Sequence, residues 1–298
     1  MQDSAARIDP GVSLAPSALV KDVSGLVSPP DVCMRIFELL QSPDSSAKDI
    51  GKVIIQDPNL TARLLKIVNS SFYNFAHRID TVSRAIAIVG MRDLYNLVVA
   101  ISAVRSFSNI SSDLVNMDTF WRHNLFTALI ARTFAKRCGV LHPERLFVAG
   151  LLHDIGSLVL YNRMPERSRE FLLIADGDEN ALYEAEHKAL GFGHPERGAL
   201  LLELWKIPQP LQEAVRFHHC PAHAPSAARE IAIVHIAESL ANQSDIGGFC
   251  EETQAGAGPH PAAWHAVGLT PDGVDTEEII GAAGIEFTET VGLLLNEG

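Results

Sequence analysis

The chain has 298 residues, 47% of them hydrophobic, and sets 24 Lys and Arg against 36 Asp and Glu for a formal net charge of -12. That length is a soft prior for one large domain or two, and the apolar fraction is ample for a buried core. The negative balance repels phosphate backbones and anionic lipid, so neither nucleic acid nor a membrane surface is expected as a partner.

The opening residues, "MQDSAARIDPGVSLAPSALVK", carry neither a basic flank nor an apolar h-region. No later stretch approaches the roughly 20 apolar residues of a membrane span, and a cytoplasmic location is the expectation. Cys33, Cys138, Cys220 and Cys250 are scattered without CxxC spacing, which suits a reducing compartment rather than a disulfide frame or a thiolate zinc site.

Helical periodicity then runs almost throughout. Between 30 and 107, apolar positions recur three and four apart, as in Val32, Ile36, Leu39 and Leu40, then Leu60, Leu64, Leu65 and Val68; this spacing predicts about five short helices. Ser46 with Asp49 fits a capping box, Asp57 followed by Pro58 a cap with proline at the first helical position, and Thr81 another start. The helix "DPNLTARLLKIVNSS" reads as core packing, with Asp57 and Asn69 in structural hydrogen bonds. Asp118 opens a longer helix through Cys138, "GVLHPE" connects, and the next helix ends in "FVAGLLHDIGSLVLY", where Gly156 is placed to close the last turn as a left-handed cap. Further helices are predicted at 165–176, 179–190, 195–205, 209–218, 226–242 and 275–295. No run alternates with period two between hairpin turns, so the fold class is all-α. "SDIGGFCEETQAGAGPHPAAW" is the most linker-like interior stretch.

The chemistry rests on His123, His153, Asp154, His194, His218, His219 and Glu238. His123 shares a stripe with Phe126, Ile130 and Phe134 and so points inward. His153 and Asp154 are helix neighbours about 100° apart, able to grip one ion from adjacent directions. An ionised, unpaired Asp154 in so oily a segment would cost several kcal/mol, roughly, even after relaxation. Imidazole and carboxylate suit iron, manganese or zinc, and a divalent cation would supply the missing charge. The alternatives stay open: an internal His153–Asp154 pair needing no ion, and Glu238 as a solvated helix residue. His218 and His219 are not expected to point the same way, leaving one as a ligand and the other as a cap. The remaining histidines weighed, His142, His187, His223, His235, His260 and His265, read as ordinary.

The order H, HD, H, HH, acid resembles the HD superfamily of metal-dependent phosphohydrolases. The first half is similar to the HDOD family through Pro30 to Val32, the "DPNLTARLLKIVNS" helix from Asp57 to Ser70, and Ile79 to Gly90. With "EHKALGFGHPERGALLLELWKIP", the resemblance covers about residues 20 to 242. It implies a multi-helical HD-like bundle preceded by an HDOD-type helical subregion. The corresponding division is a flexible tail over 1–18, an HDOD domain over 19–245 with parts 19–110 and 111–245, and a linker with a C-terminal helical segment over 246–298.

The resemblance also implies a role in bacterial signal transduction, with an unidentified signalling protein as partner and one or two divalent ions that some members have lost. A metal-dependent phosphohydrolase or phosphodiesterase acting on a phosphate-containing ligand is the alternative. In that case His123, His153, Asp154 and Glu238 would hold a first ion, and His194 with His218 or His219 a second. Cyclic-di-GMP hydrolysis is disfavoured, because Ser157 stands where HD-GYP enzymes carry lysine and the G-Y-P element is missing after His219. Arg197 and Arg216 are the nearest cations for a phosphate, and no catalytic residue is assigned. No receiver or EAL domain is attached, so the signal is expected in trans or through the terminal pieces.

Overall fold

The computed structural model describes residues 30–70, 72–73, 75–108, 113–224, 228–249 and 258–295. The tail expected over 1–18 lies outside them, as do Cys250 and the rest of 250–257 within the linker-like stretch. Every regular element among the described residues is helical, as the periodicity predicts. None is a single helix long and apolar enough to cross a membrane.

The N-terminal part comprises α1 (Asp31–Gln41), α2 (Ala47–Ile55), α3 (Pro58–Val68), α4 (Val82–Val89) and α5 (Met91–Ser108). Its starts follow the side chains that can serve the first free N–H groups. Ser46 and Asp49 form the capping box of α2, Asp57 accepts from the Leu60 N–H at 3.0 Å, and Thr81 accepts from the Arg84 N–H. Asn69 ends α3 and clamps the following chain, accepting from the Ile79 N–H at 2.7 Å and donating to the Ile79 carbonyl at 2.6 Å. Ile36, Ile54, Leu64, Ile67 and Val98 close the core of this part.

The second part is built around α6 (Met117–Arg137), a helix buried on most of its circumference. It starts before Asp118 because the Asn116 side chain accepts from the Asp118 N–H at 3.0 Å. Around it run α7 (Glu144–Leu152), α8 (Ile155–Arg163), α9 (Pro165–Ala175), α10 (Glu179–Leu190), α11 (His194–Leu204), α12 (Gln209–Phe217) and α13 (Ala228–Asn242). Two later helices, α14 (Pro261–Val267) and α15 (Thr276–Leu294), also pack on α6. Trp264 meets Phe134, Phe287 meets Phe126 edge-on at 5.6 Å, and Glu286 pairs with the buried Arg132.

One local expectation is overturned. The HD segment is not one helix closed by Gly156: the chain breaks at Asp154 (φ -97°, ψ 7°), and α8 begins at Ile155. Gly156 sits inside α8, outside the left-handed region, and is required for space. A Cβ there would lie 2.0 Å from the His194 carbonyl oxygen and 2.5 Å from the Gly198 nitrogen. At the crossing of α7 on α6, Gly150 has the same function, since its Cβ would fall 2.7 Å from the Ala128 Cα. These contacts draw α7 onto α6 and α8 onto α11, close enough to bring His123, His153 and His194 together.

Gly156→Ala is therefore expected to destabilise by about 1–3 kcal/mol through overpacking against backbone. Gly281→Ala, on the exposed face of α15 with nothing near its Cβ, should raise stability by about 0.5–1 kcal/mol. Urea unfolding of the two variants checks both signs.

Candidate metal centre

The break between α7 and α8 places His153 and Asp154 in the middle of the second part. His123 reaches them from α6, Glu179 and Glu186 from α10, His194 from the start of α11, His218 and His219 from the end of α12, and Glu238 from α13. All are buried except His219, which is half-buried as a residue though its side chain is almost fully covered.

Hydrogen bonds fix which ring nitrogen faces inward. Carbonyl oxygens only accept, so Nδ1–H of His123 donates to Gly247 at 2.7 Å, that of His153 to Gly150 at 2.7 Å and that of His218 to Val215 at 2.6 Å. His194 directs Nδ1 at Glu186, 3.1 Å away, and Arg197 donates to the same carboxylate at 3.0 Å. Four Nε2 lone pairs are thereby turned toward Asp154. The Nε2 atoms of His123 and His153 stand 3.3 Å apart, and those of His194 and His219 stand 3.1 Å apart. Two neutral rings meeting through lone pairs repel unless a cation or a proton lies between them.

Asp154 lies between the two imidazole groups. Its Oδ2 is 3.4 Å from His153 and 3.8 Å from His123, and its Oδ1 is 3.4 Å from His194 and 3.8 Å from His218. Neither oxygen, though buried, has a hydrogen-bond partner among the described residues, and the same holds for Glu179 Oε1, Glu238 Oε2 and His218 Nε2. Native proteins leave few such atoms unmatched. The donor set, all imidazole and carboxylate in a closed space, fits divalent iron, manganese or zinc.

The ligand atoms fall into three groups, each within 4.8 Å: His123, His153, Asp154 and Glu179; His194, His218 and His219; and Glu179, His219 and Glu238. Two details differ from the sequence reading. Glu179, at the first residue of α10, takes the place beside His123 that was expected of Glu238, its Oε1 3.8 Å from His123 Nε2; Glu238 instead faces His219 Nδ1 at 3.5 Å. His218 and His219 both turn inward, since α12 ends at Phe217 and the two rings leave the chain on the same side, 4.3 Å apart. His142, His223 and His265 stay outside the centre. His187 binds Glu196, and His235 holds the centre from behind, donating from Nδ1 to the His218 carbonyl at 2.8 Å while Nε2 accepts from the His260 N–H at 3.0 Å.

The sequence reading did not single out Glu179 or Glu186. Their spacing of seven, with the buried Leu182 between them, was the available signal, because it sets both acids on the apolar stripe of α10. Arg197, a candidate phosphate cation, is fully buried on Glu186 and orients His194.

Burial lowers His153 to about 3 and holds His218 and His219 well below the usual imidazole range, so the rings are neutral and ready to ligate. Burial, and then the charge of Glu179, push Asp154 and Glu238 well above the carboxylate range. Burial pushes Glu179 upward too, but the neighbouring His123 and Asp154 outweigh it and hold Glu179 below the usual carboxylate range.

A profile of the HDOD domain family matches residues 26–221. An uncharacterised protein of Treponema pallidum (strain Nichols) is 30% identical over 198 residues, which are 66% of this chain and 38% of that protein. The chain thus spans well under half the length of this curated relative. An HDOD domain protein of unknown function from Geobacter sulfurreducens is similar in structure, with a TM-score of 0.72 and 25% identity over 94% of this chain and 99% of that one. A Shewanella amazonensis protein provisionally named a phosphohydrolase shares the fold, with a TM-score of 0.68 and 23% identity over 96% of this chain and 100% of that one.

Burial favours the protonated forms of Asp154 and Glu238, and a metal has to displace those protons. Binding of Mn2+ to chelator-treated protein is expected to release protons and to strengthen as pH rises. Calorimetry in two buffers of different ionisation enthalpy measures this. Glu179→Gln should weaken binding by about ten- to a hundredfold.

Proposed function

The chain belongs to the HDOD domain family, and from that premise we propose that it is a regulatory protein of bacterial-type signal transduction. In this reading its helical body docks a signalling protein in the cytoplasm, while the buried centre holds one or two divalent ions that set the shape of that body. The observation that carries it is burial: His123, His153, Asp154, Glu179, His194, His218 and Glu238 are each 3% exposed or less. A phosphoester and its attacking water need a route to the ion, and a developing phosphoryl charge needs a free cation close by. The nearest arginine in the centre, Arg197, is itself buried and ion-paired with Glu186.

A second reading rests on Asp154. Its two oxygens face different pairs of imidazoles, an arrangement suited to one carboxylate shared by two ions, as two-metal phosphohydrolases use. Bound ions would supply there a Lewis acid and an activated water. His123, His153, Asp154 and Glu179 would hold one ion, and Asp154 with His194, His218 and His219 the other.

A screen of nucleotides and of bis(p-nitrophenyl) phosphate, with Fe2+ or Mn2+ restored under anaerobic conditions, separates the readings. The regulatory reading predicts turnover no greater than that of His153→Ala. Turnover in the wild type that disappears in His153→Ala would establish the hydrolase instead.

A further inference from the structure

A second site lies where the N-terminal helices meet the HD-like part. Between α1 and α5 on one side and the starts of α7 and α12 on the other runs a cleft of about 650 Å³, a volume in the range of small-molecule sites. Its charge is opposite to that of the chain: Arg92, Arg145 and Lys206 line it against the single acid Asp93. Arg92 and Lys206 are exposed and engaged in no ion pair among the described residues. Arg145 is paired with Glu230, and Asp93 is paired with His142 at 3.0 Å. The first turns of α5, α7 and α12 all border the cleft, so the positive ends of three helix dipoles add to the field an anion would meet there.

The remaining wall is of another kind. Phe37, half-buried, offers aromatic surface, Tyr95 is buried in the floor with its hydroxyl unpartnered among the described residues, and Asn96, 9% exposed, presents a carboxamide with no hydrogen-bond partner among them. Two backbone irregularities fall on the same cleft. Of the three non-glycine residues with positive φ among those described, His142 (58°) and Lys206 (53°) both line it. Lys206 follows the end of α11, where glycine fits best and the left-handed backbone strains a lysine. Strain of this kind collects where a side chain has a task besides folding.

We propose that this cleft binds a nucleoside phosphate. Arg92 and Lys206 hold the phosphates at the helix ends, while Phe37 packs on the base over the buried Tyr95 and Asn96 reads its edge. The site is distinct from the metal centre. Helices α7 and α12 each run nine residues, about 13 Å, from the cleft to His153 and to His218, and the proposal stands whether or not the centre is catalytic.

The test is a fluorescence titration of the full chain with mant-ATP and mant-GTP, with adenosine, guanosine and pyrophosphate as competitors. Saturable binding of one analogue is expected, with the matching nucleoside and pyrophosphate each competing far more weakly than the intact nucleotide. Arg92→Gln and Lys206→Gly should each raise Kd about tenfold or more. Lys206→Gly should at the same time hold or raise Tm, a combination that a merely structural lysine would not give. His153→Ala should bind as the wild type does. The proposal is overturned by no saturation up to about 1 mM of either analogue, by pyrophosphate competing as well as the nucleotide, by affinity unchanged in both cleft variants, or by binding lost in His153→Ala.

Discussion

The organisation of this protein depends on one buried carboxyl group. Asp154 lies at a break between two helices, 1% exposed, with no hydrogen bond to either oxygen and imidazole Nε2 atoms on both sides. In an interior of low polarity such a group is tolerable only if protonated or if matched by positive charge. Backbone carbonyls already occupy the outer nitrogens of His123, His153 and His218, so their inner lone pairs point at one another. Protons relieve this only partly, because burial opposes charging His153 and His218. A divalent cation relieves the carboxylate and the facing lone pairs together.

The surrounding structure serves that arrangement. Gly150 and Gly156 let backbone approach backbone, so that three helices deliver their histidines to one point. Glu186 takes Arg197 on one side and His194 on the other, fixing a ring while neutralising a cation that would otherwise lie unpaired in the core. Asn242 donates to Glu179 at 2.7 Å and accepts from the Phe249 N–H at 3.0 Å. Together with the Gly247 carbonyl on His123, this ties the chain after α13 to the centre. Supports of this type set ring orientation and basicity, and their loss is felt almost as strongly as loss of a ligand.

Much of this was legible in the sequence, for reasons that can be named. Helix starts at Ser46, Asp57 and Thr81 were readable because a cap is a local event, settled within four residues. His123, His153, Asp154 and His194 were readable from apolar stripes and motif order. What escaped depended on distance across the fold. Whether Glu179 or Glu238 stands beside His123 is decided by where the start of α10 and the middle of α13 lie around the centre, and one sequence does not state that placement. The inward turn of both His218 and His219 depends on where α12 stops, and helix ends are the least legible feature of a periodic pattern. Gly156 was given a cap's role because an HD-Ile-Gly sequence resembles a helix end; its real constraint, the His194 carbonyl, lies 38 positions away.

The central claim is that a metal ion completes the centre around Asp154. Elemental analysis by plasma mass spectrometry, on protein purified without chelator and without air, tests it most directly. The account predicts about one or two equivalents of iron, manganese or zinc per chain, lost in an Asp154→Ala variant that still folds. Wild-type protein that is folded, free of metal and unable to take up any of the three ions would contradict it.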